Sequence, residues 1–173
     1  EIGPGHTRLK GFLTLDVVPG PTVDVVHDLR ELPLPFEDNA FDLIYMSHVL
    51  EHIEWTKTHA VLCDLYRILA PGGRLEVHVP AWAKIVEAYM LGDDKAPDED
   101  PWWRDNPTRD LMTWINGRTF SYGPGEANFH RALFDFGHLS RCLVRAGFSI
   151  DPETPEPRGA NHGWINLGLT GVK

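Results

Sequence analysis

The residues of this chain whose types and spacing could do chemistry are few. They are the glycines of Gly3-Pro4-Gly5, the isolated Asp16, the pair Asp28-Leu29, Ser47-His48 with Glu51 and His52 just behind, and a distant His130. Two glycines after a strand let the backbone approach a ligand with no Cβ in the way. A carboxylate at the carboxyl end of the following strand, the place of Asp16, can accept hydrogen bonds from both hydroxyls of a ribose. A histidine, with an ordinary pKa of about 6.5, can take a proton from a hydroxyl at neutral pH, which makes His48 and His130 candidate general bases. Each has a plainer reading beside it: a tight turn, a strand-end cap, a solvated turn aspartate, a histidine bonded to its own loop.

Elements must bring these residues together. Glu1 to Gly5 reads as the tail of a strand turning into a loop, with almost nothing apolar ahead of Ile2. Phe12 to Val18 reads as a second strand, ended by Pro19-Gly20-Pro21, and Val23 to Leu29 as a third. Phe41 to Met46 is a short continuous apolar run, the mark of a buried strand, which puts Ser47 and His48 at its carboxyl end. From Thr56 to Leu69 the period turns helical, with Val61, Leu62, Leu65, Tyr66, Ile68 and Leu69 on one face. Pro71 and a left-handed Gly72 are expected to stop that helix. Leu75, Val77 and Val79 then alternate as a strand.

Ala83 to Leu91 reads as a short helix, and Phe134 to Ala146 as a second amphipathic one using Phe136, Leu139, Leu143 and Val144. Phe148 to Ile150 and Trp164 to Val172 read as the last strands. Residues 92–126 read as an irregular insertion carrying Trp102, Trp103 and Trp114, of the kind that serves as a lid. Strands alternating with helices predict an α/β fold with a mostly parallel sheet covered on both faces.

Composition excludes several classes. At 173 residues and a net charge of −9 the chain fits one domain, 1–173, and no Lys/Arg run offers a basic face to nucleic acid. No apolar run approaches the roughly 20 residues of a membrane span, so a soluble cytoplasmic protein is expected. Cys63 and Cys142 fall within apolar helical patterns and are expected as buried thiols rather than a disulfide. No four-ligand metal spacing occurs, and no metal is expected.

The wording of FDLIYMSHVLEHI, then YRILAPGG, then RLEVHVP resembles the second half of a class I S-adenosylmethionine-dependent methyltransferase domain, of the small, methyltransferase type 11-like kind. The resemblance covers Glu1 to Pro80 well and the rest more loosely. It implies a Rossmann-like, doubly wound, mostly parallel seven-stranded sheet with its last strand antiparallel, and S-adenosylmethionine as cofactor. Glu1, Gly3 and Gly5 then take the places of the acidic residue and glycines of the family's loop. Asp16 takes the ribose position, Asp28 and Leu29 the adenine contacts, and Ser47 and His48 the methionine end. The implied acceptors are small molecules or sugars, methylated at oxygen or nitrogen.

One departure stands out. Only ten residues separate Gly5 from Asp16, so the first crossover holds at most a turn or so of helix. The thinly covered sheet face is left to the Trp-bearing insertion, to a partner subunit in a homo-oligomer, or to residues before Glu1. The same departure motivates a second reading, a methyltransferase-like partner subunit that binds without catalysing. A nucleotide-dependent oxidoreductase is disfavoured, because the third glycine and full helix of its phosphate loop are absent.

Overall fold

A computed structural model describes residues 1–92, 110–120, 125–159 and 162–173. Among the described residues six strands form: β1 Leu15–Asp16, β2 Val25–Val26, β3 Phe41–Ser47, β4 Leu69–Pro80, β5 Ser149–Ile150 and β6 Asn166–Val172. The helices are α1 Thr58–Ile68, α2 Trp82–Leu91, α3 Leu111–Thr119 and α4 Phe136–Arg145. β1 pairs in parallel with β2, and β3 in parallel with β4. β6 runs antiparallel between β4 and β5. The described residues form six strands rather than the seven implied by the resemblance; Ile2, outside any strand, bridges Leu15 on one side and Met46 on the other, both in the parallel sense. It thereby joins the β1–β2 pair to the four-stranded sheet ordered β3-β4-β6-β5. Residues 6–14 make turns and no helix.

Two reversals of the sequence reading have local causes. α1 ends at Ile68, ahead of the expected Pro71 stop, and Leu69 is already extended (φ −76°, ψ 140°). The residue before a proline is driven out of the helical region, so Ala70 is extended and the strand begins early. The surplus residues of Leu69–Pro80 are taken up as a bulge between the Phe41↔Leu69 and Leu43↔Arg74 pairs. The insertion, read as irregular, contains the helix α3, started by the Asp110 side chain accepting from the Thr113 N–H. The expected lid otherwise falls mostly on residues outside those described, as do Trp102 and Trp103.

The core sits on one face of the sheet. Val61, Leu62, Leu65 and Ile68 of α1 and Leu139 and Leu143 of α4 pack on Ile44, Met46, Leu75, Val77 and Val79. Phe136 and Val144, expected on the buried face of α4, are 62% and 56% exposed, because two leucines four apart already supply that face. Cys63 is exposed and Cys142 only half-buried, contrary to expectation, and both are free thiols. Cys63 follows Leu62 by about 100° around the helix, which turns it off the apolar stripe.

The opposite face carries Tyr45, Glu76 and His78, all nearly fully buried. Residues 155–159 contribute to its cover. The Tyr45 hydroxyl accepts from the backbone N–H groups of Arg158 and Gly159 at 2.9 and 3.0 Å, and the Arg158 guanidinium pairs with Glu76 at 2.6 Å. A second apolar cluster joins Ile85 and Ala88 of α2 to Trp114 and Ile165, with the Trp114 ring stacked on Trp164 at 5.8 Å. Among the described residues no helix is long and apolar enough to cross a membrane.

Candidate functional site

At the carboxyl ends of β1, β2 and β3 lies a cleft of about 400 Å³, where doubly wound sheets place their ligands. Gly3, Gly5, Asp16, Asp28, Leu29 and His48 all line it. The glycine loop is tied to the sheet by the Gly3 N–H, which donates to the Leu15 carbonyl at 2.8 Å. Gly3 and Gly5 have φ values of +67° and +57°, in the left-handed region that side chains resist. At Gly5 the space around an added Cβ is open, so the backbone there faces the cleft bare.

Asp16 closes β1. Its Oδ1 accepts from the Val18 N–H at 2.9 Å and so turns the chain, while Oδ2 takes no hydrogen bond from a described residue. Asp28 is held differently. The Arg30 guanidinium grips both its oxygens through three hydrogen bonds, the shortest 2.6 Å, and the Arg30 N–H adds a fourth. This grip holds the Asp28 carboxyl below the usual carboxylate range.

His48 is the most constrained residue of the site. It follows β3 with φ +56°, an uncommon conformation outside glycine, and its N–H donates to the His78 carbonyl at 2.8 Å. Its Nδ1 lies 3.1 Å from Glu51 Oε1 and its Nε2 2.7 Å from Asn166 Oδ1. The His162 ring stacks on it at 3.5 Å. Asn166 Oδ1 also accepts from the His162 N–H at 3.3 Å, which makes it an acceptor toward Nε2. Both ring nitrogens of His48 therefore face oxygen acceptors. Glu51 is buried; burial alone would raise its pKa, but the hydrogen bond from His48 and the neighbouring histidines bring it down to about 2.

Three residues expected at the site stand elsewhere. Glu1 lines a separate cavity of about 260 Å³ at the opposite ends of the strands, beside Phe41 and Asp42. Its carboxylate accepts from the Leu9 N–H at 2.8 Å and so pins the loop that follows Gly5. Ser47 is buried in register with His78 and does not line the cleft. His130 lies behind the cleft wall, lining a small cavity with Glu51 and Arg118. Its Nδ1 donates to the Arg118 carbonyl at 2.9 Å, and burial lowers its pKa.

The sequence reading missed Arg30, Asn166 and His162. Arg30 could have been paired with Asp28 from its spacing alone. Asn166 and His162 meet His48 only because β6 returns antiparallel beside β4, which no local pattern signals.

Residues 14–77 match the family model described as a methyltransferase domain. The chain is 32% identical over 74 residues to demethylmenaquinone methyltransferase of Listeria welshimeri, a stretch covering 39% of this chain and 30% of that protein. It is 39% identical over 59 residues to demethylmenaquinone methyltransferase of Streptomyces avermitilis, covering 32% and 25%. Its fold is similar to that of the Burkholderia thailandensis 1,6-didemethyltoxoflavin-N1-methyltransferase, solved with 1,6-didemethyltoxoflavin and S-adenosylhomocysteine bound. The TM-score is 0.56 at 19% identity, covering 92% of this chain and 60% of that one. It is also similar to an S-adenosylmethionine-dependent methyltransferase of Methanosarcina mazei, with a TM-score of 0.53 at 16% identity, covering 92% and 80%. The chain has a class I methyltransferase fold. Its sequence match to the curated methyltransferases spans about 30% of their length.

Proposed function

We propose that this chain binds S-adenosylmethionine in the cleft between the Gly3–Gly5 loop and His48 and transfers its methyl group to a small-molecule or sugar acceptor at oxygen or nitrogen. The observation that carries the reading is convergence: residues separated by dozens of positions line one cleft at the carboxyl ends of three strands. The bare backbone at Gly5 admits the methionine portion, Oδ2 of Asp16 accepts from the ribose hydroxyls, and Asp28 and Leu29 flank the adenine. When bound, the sulfonium supplies an already activated methyl group.

The chain's own task is then alignment, and positioning of this kind contributes up to roughly 7–11 kcal/mol in favourable systems. The acceptor would supply the lone pair for the new bond to the methyl carbon, and the departing thioether would keep the electron pair of the carbon–sulfur bond. The acceptor's proton must leave. Of the two candidate bases, His48 is the one on the cleft, and in its neutral form, with the contact at its unprotonated nitrogen opened, it can take that proton. His130, behind the wall, does not reach the cleft.

The reading is supported by the methyltransferase-domain match over 14–77, and by the toxoflavin enzyme as an example of a small-molecule acceptor on this fold. A non-catalytic partner subunit is the second reading, favoured by the absence of a helix in residues 6–14. Incubation with methyl-labelled S-adenosylmethionine and a panel of amines, phenols and sugars separates them. Label transfer is expected for the enzyme. Cofactor binding with no transfer across the panel, together with a stable complex with another chain, would favour the partner subunit.

A further inference from the structure

Behind His48 the chain gathers a set of ligand-bearing side chains that methyl transfer does not use. The 129–132 segment docks on the turn Leu50–His52: the N–H groups of Arg131 and Ala132 both donate to the Glu51 carbonyl, at 2.6 and 3.1 Å. This docking sets His130 against His52, ring to ring at 4.8 Å, edge on. One ligand atom each from Glu51, His52 and His130 lies within 4.8 Å of the others.

Three details suit these atoms to a cation. His130 Nδ1 donates to the Arg118 carbonyl at 2.9 Å, and His52 Nδ1 donates to the Phe129 carbonyl at 3.2 Å. A carbonyl only accepts, so each ring carries a proton on Nδ1, and in the neutral ring the lone pair lies on Nε2. A backbone carbonyl on the far nitrogen is how proteins orient metal-binding histidines. Glu51 is 2% exposed; its Oε1 is engaged by His48, while its Oε2 is buried with no hydrogen-bond partner among the described residues. A buried carboxylate oxygen left unpaired is costly, and a cation would satisfy it.

We propose that Glu51, His52 and His130 form a binding site for a divalent transition-metal ion. Two imidazoles and one carboxylate are the ligand set of open zinc sites and of related iron(II) sites, and they leave coordination positions vacant. His52 lines the cleft while Glu51 and His130 line the small cavity behind it, so the set lies between the two. There the ion would hold an acceptor oxygen beside the methyl donor, and this role, unlike the site itself, rests on the methyl-transfer reading. The sequence spacing concealed the set, because His130 joins the other two only through the docked 129–132 segment.

The test is direct metal binding by the whole chain. Protein dialysed against a chelator is titrated with Zn²⁺ by calorimetry and with Co²⁺ by visible absorption. The cysteine–histidine pairs His59/Cys63 and His138/Cys142 lie on helix surfaces with sulfur–nitrogen distances of 3.7 Å, so a Cys63→Ser, Cys142→Ser background removes them as competitors. One equivalent should bind, without thiolate-to-cobalt charge-transfer bands. His52→Asn and His130→Asn should each weaken binding about tenfold or more. Glu51→Gln should act likewise, and the two histidine variants decide the matter if that one fails to fold. Absence of saturable uptake, or affinity unchanged in both histidine variants, would overturn the site. S-adenosylhomocysteine titrated into the metal-free protein keeps the two readings apart: cofactor binding without metal uptake sinks the metal site alone, and metal uptake without cofactor binding upholds it.

Discussion

Gly3 and Val49 approach so closely that a Cβ added to Gly3 would lie 2.4 Å from Val49 Cγ2. Valine is stiff and its methyl cannot swing aside freely. Gly3 also sits at φ +67°. Gly3→Ala should therefore cost about 1–3 kcal/mol, part from the clash and part from the backbone. Thermal melts of the double variant Gly3→Ala, Val49→Ala, set against Val49→Ala alone, should show a smaller penalty that does not vanish. Equal melting temperatures for wild type and Gly3→Ala would mean the loop is not held this way.

Tyr45→Phe removes one oxygen that two backbone N–H groups share. The loss should be about 1–3 kcal/mol, the usual cost of stranding buried donors. Amide exchange at Arg158 and Gly159 should quicken before that at β3. If exchange there is unchanged, the hydroxyl does not anchor the 155–159 segment.

Acid should destabilise the fold in a window that His78 shares with His130 and His162, whose pKa values burial also lowers. The His78 ring is buried, neither nitrogen has a partner among the described residues, and burial together with His48 and Arg158 brings its pKa down to about 4. Around it lie Tyr45, Glu76 and Arg158. The unfolded imidazole titrates at about 6.5, so below that pH the unfolded chain binds a proton that the folded chain refuses. Stability is complete above pH 6.5 and falls as the pH drops toward 4, by about 3 kcal/mol at most. The loss from Glu51, whose folded pKa is depressed to about 2, begins lower, as the pH falls below about 4.5. Denaturant midpoints measured from pH 7 to pH 4 should fall less steeply in His78→Leu, with His130 and His162 supplying the remaining slope; an unaltered slope would remove His78 from the window.

Much of the fold was legible because its signals are local. The apolar run Phe41 to Met46, the stripe on α1 and the alternation Leu75, Val77, Val79 each report their own burial. The cleft residues Gly3, Gly5, Asp16 and His48 were legible because strand ends define where a doubly wound sheet binds. What was hidden depends on contacts between distant segments. Ile2 counts as a strand only through its neighbours Leu15 and Met46. Glu1 turned to Leu9, Asn166 reached His48 across β4, and His130 met Glu51 through backbone bonds made 80 residues along the chain. Helix α3 was masked by composition, since a stretch rich in proline, glycine and charge reads as loop even when one N-cap suffices to start a turn.

The central claim is that Asp16 and the glycine loop hold an adenosine-containing sulfonium. Calorimetric titration of wild type and Asp16→Asn with S-adenosylmethionine and with S-adenosylhomocysteine tests it most directly. Replacing the carboxylate weakens two charge-assisted hydrogen bonds to the ribose, so the account predicts micromolar binding by wild type and a loss of about 10²-fold in the variant. The His130→Ala variant should bind as wild type does. Equal affinity in wild type and Asp16→Asn, or no binding by wild type at millimolar ligand, would contradict it.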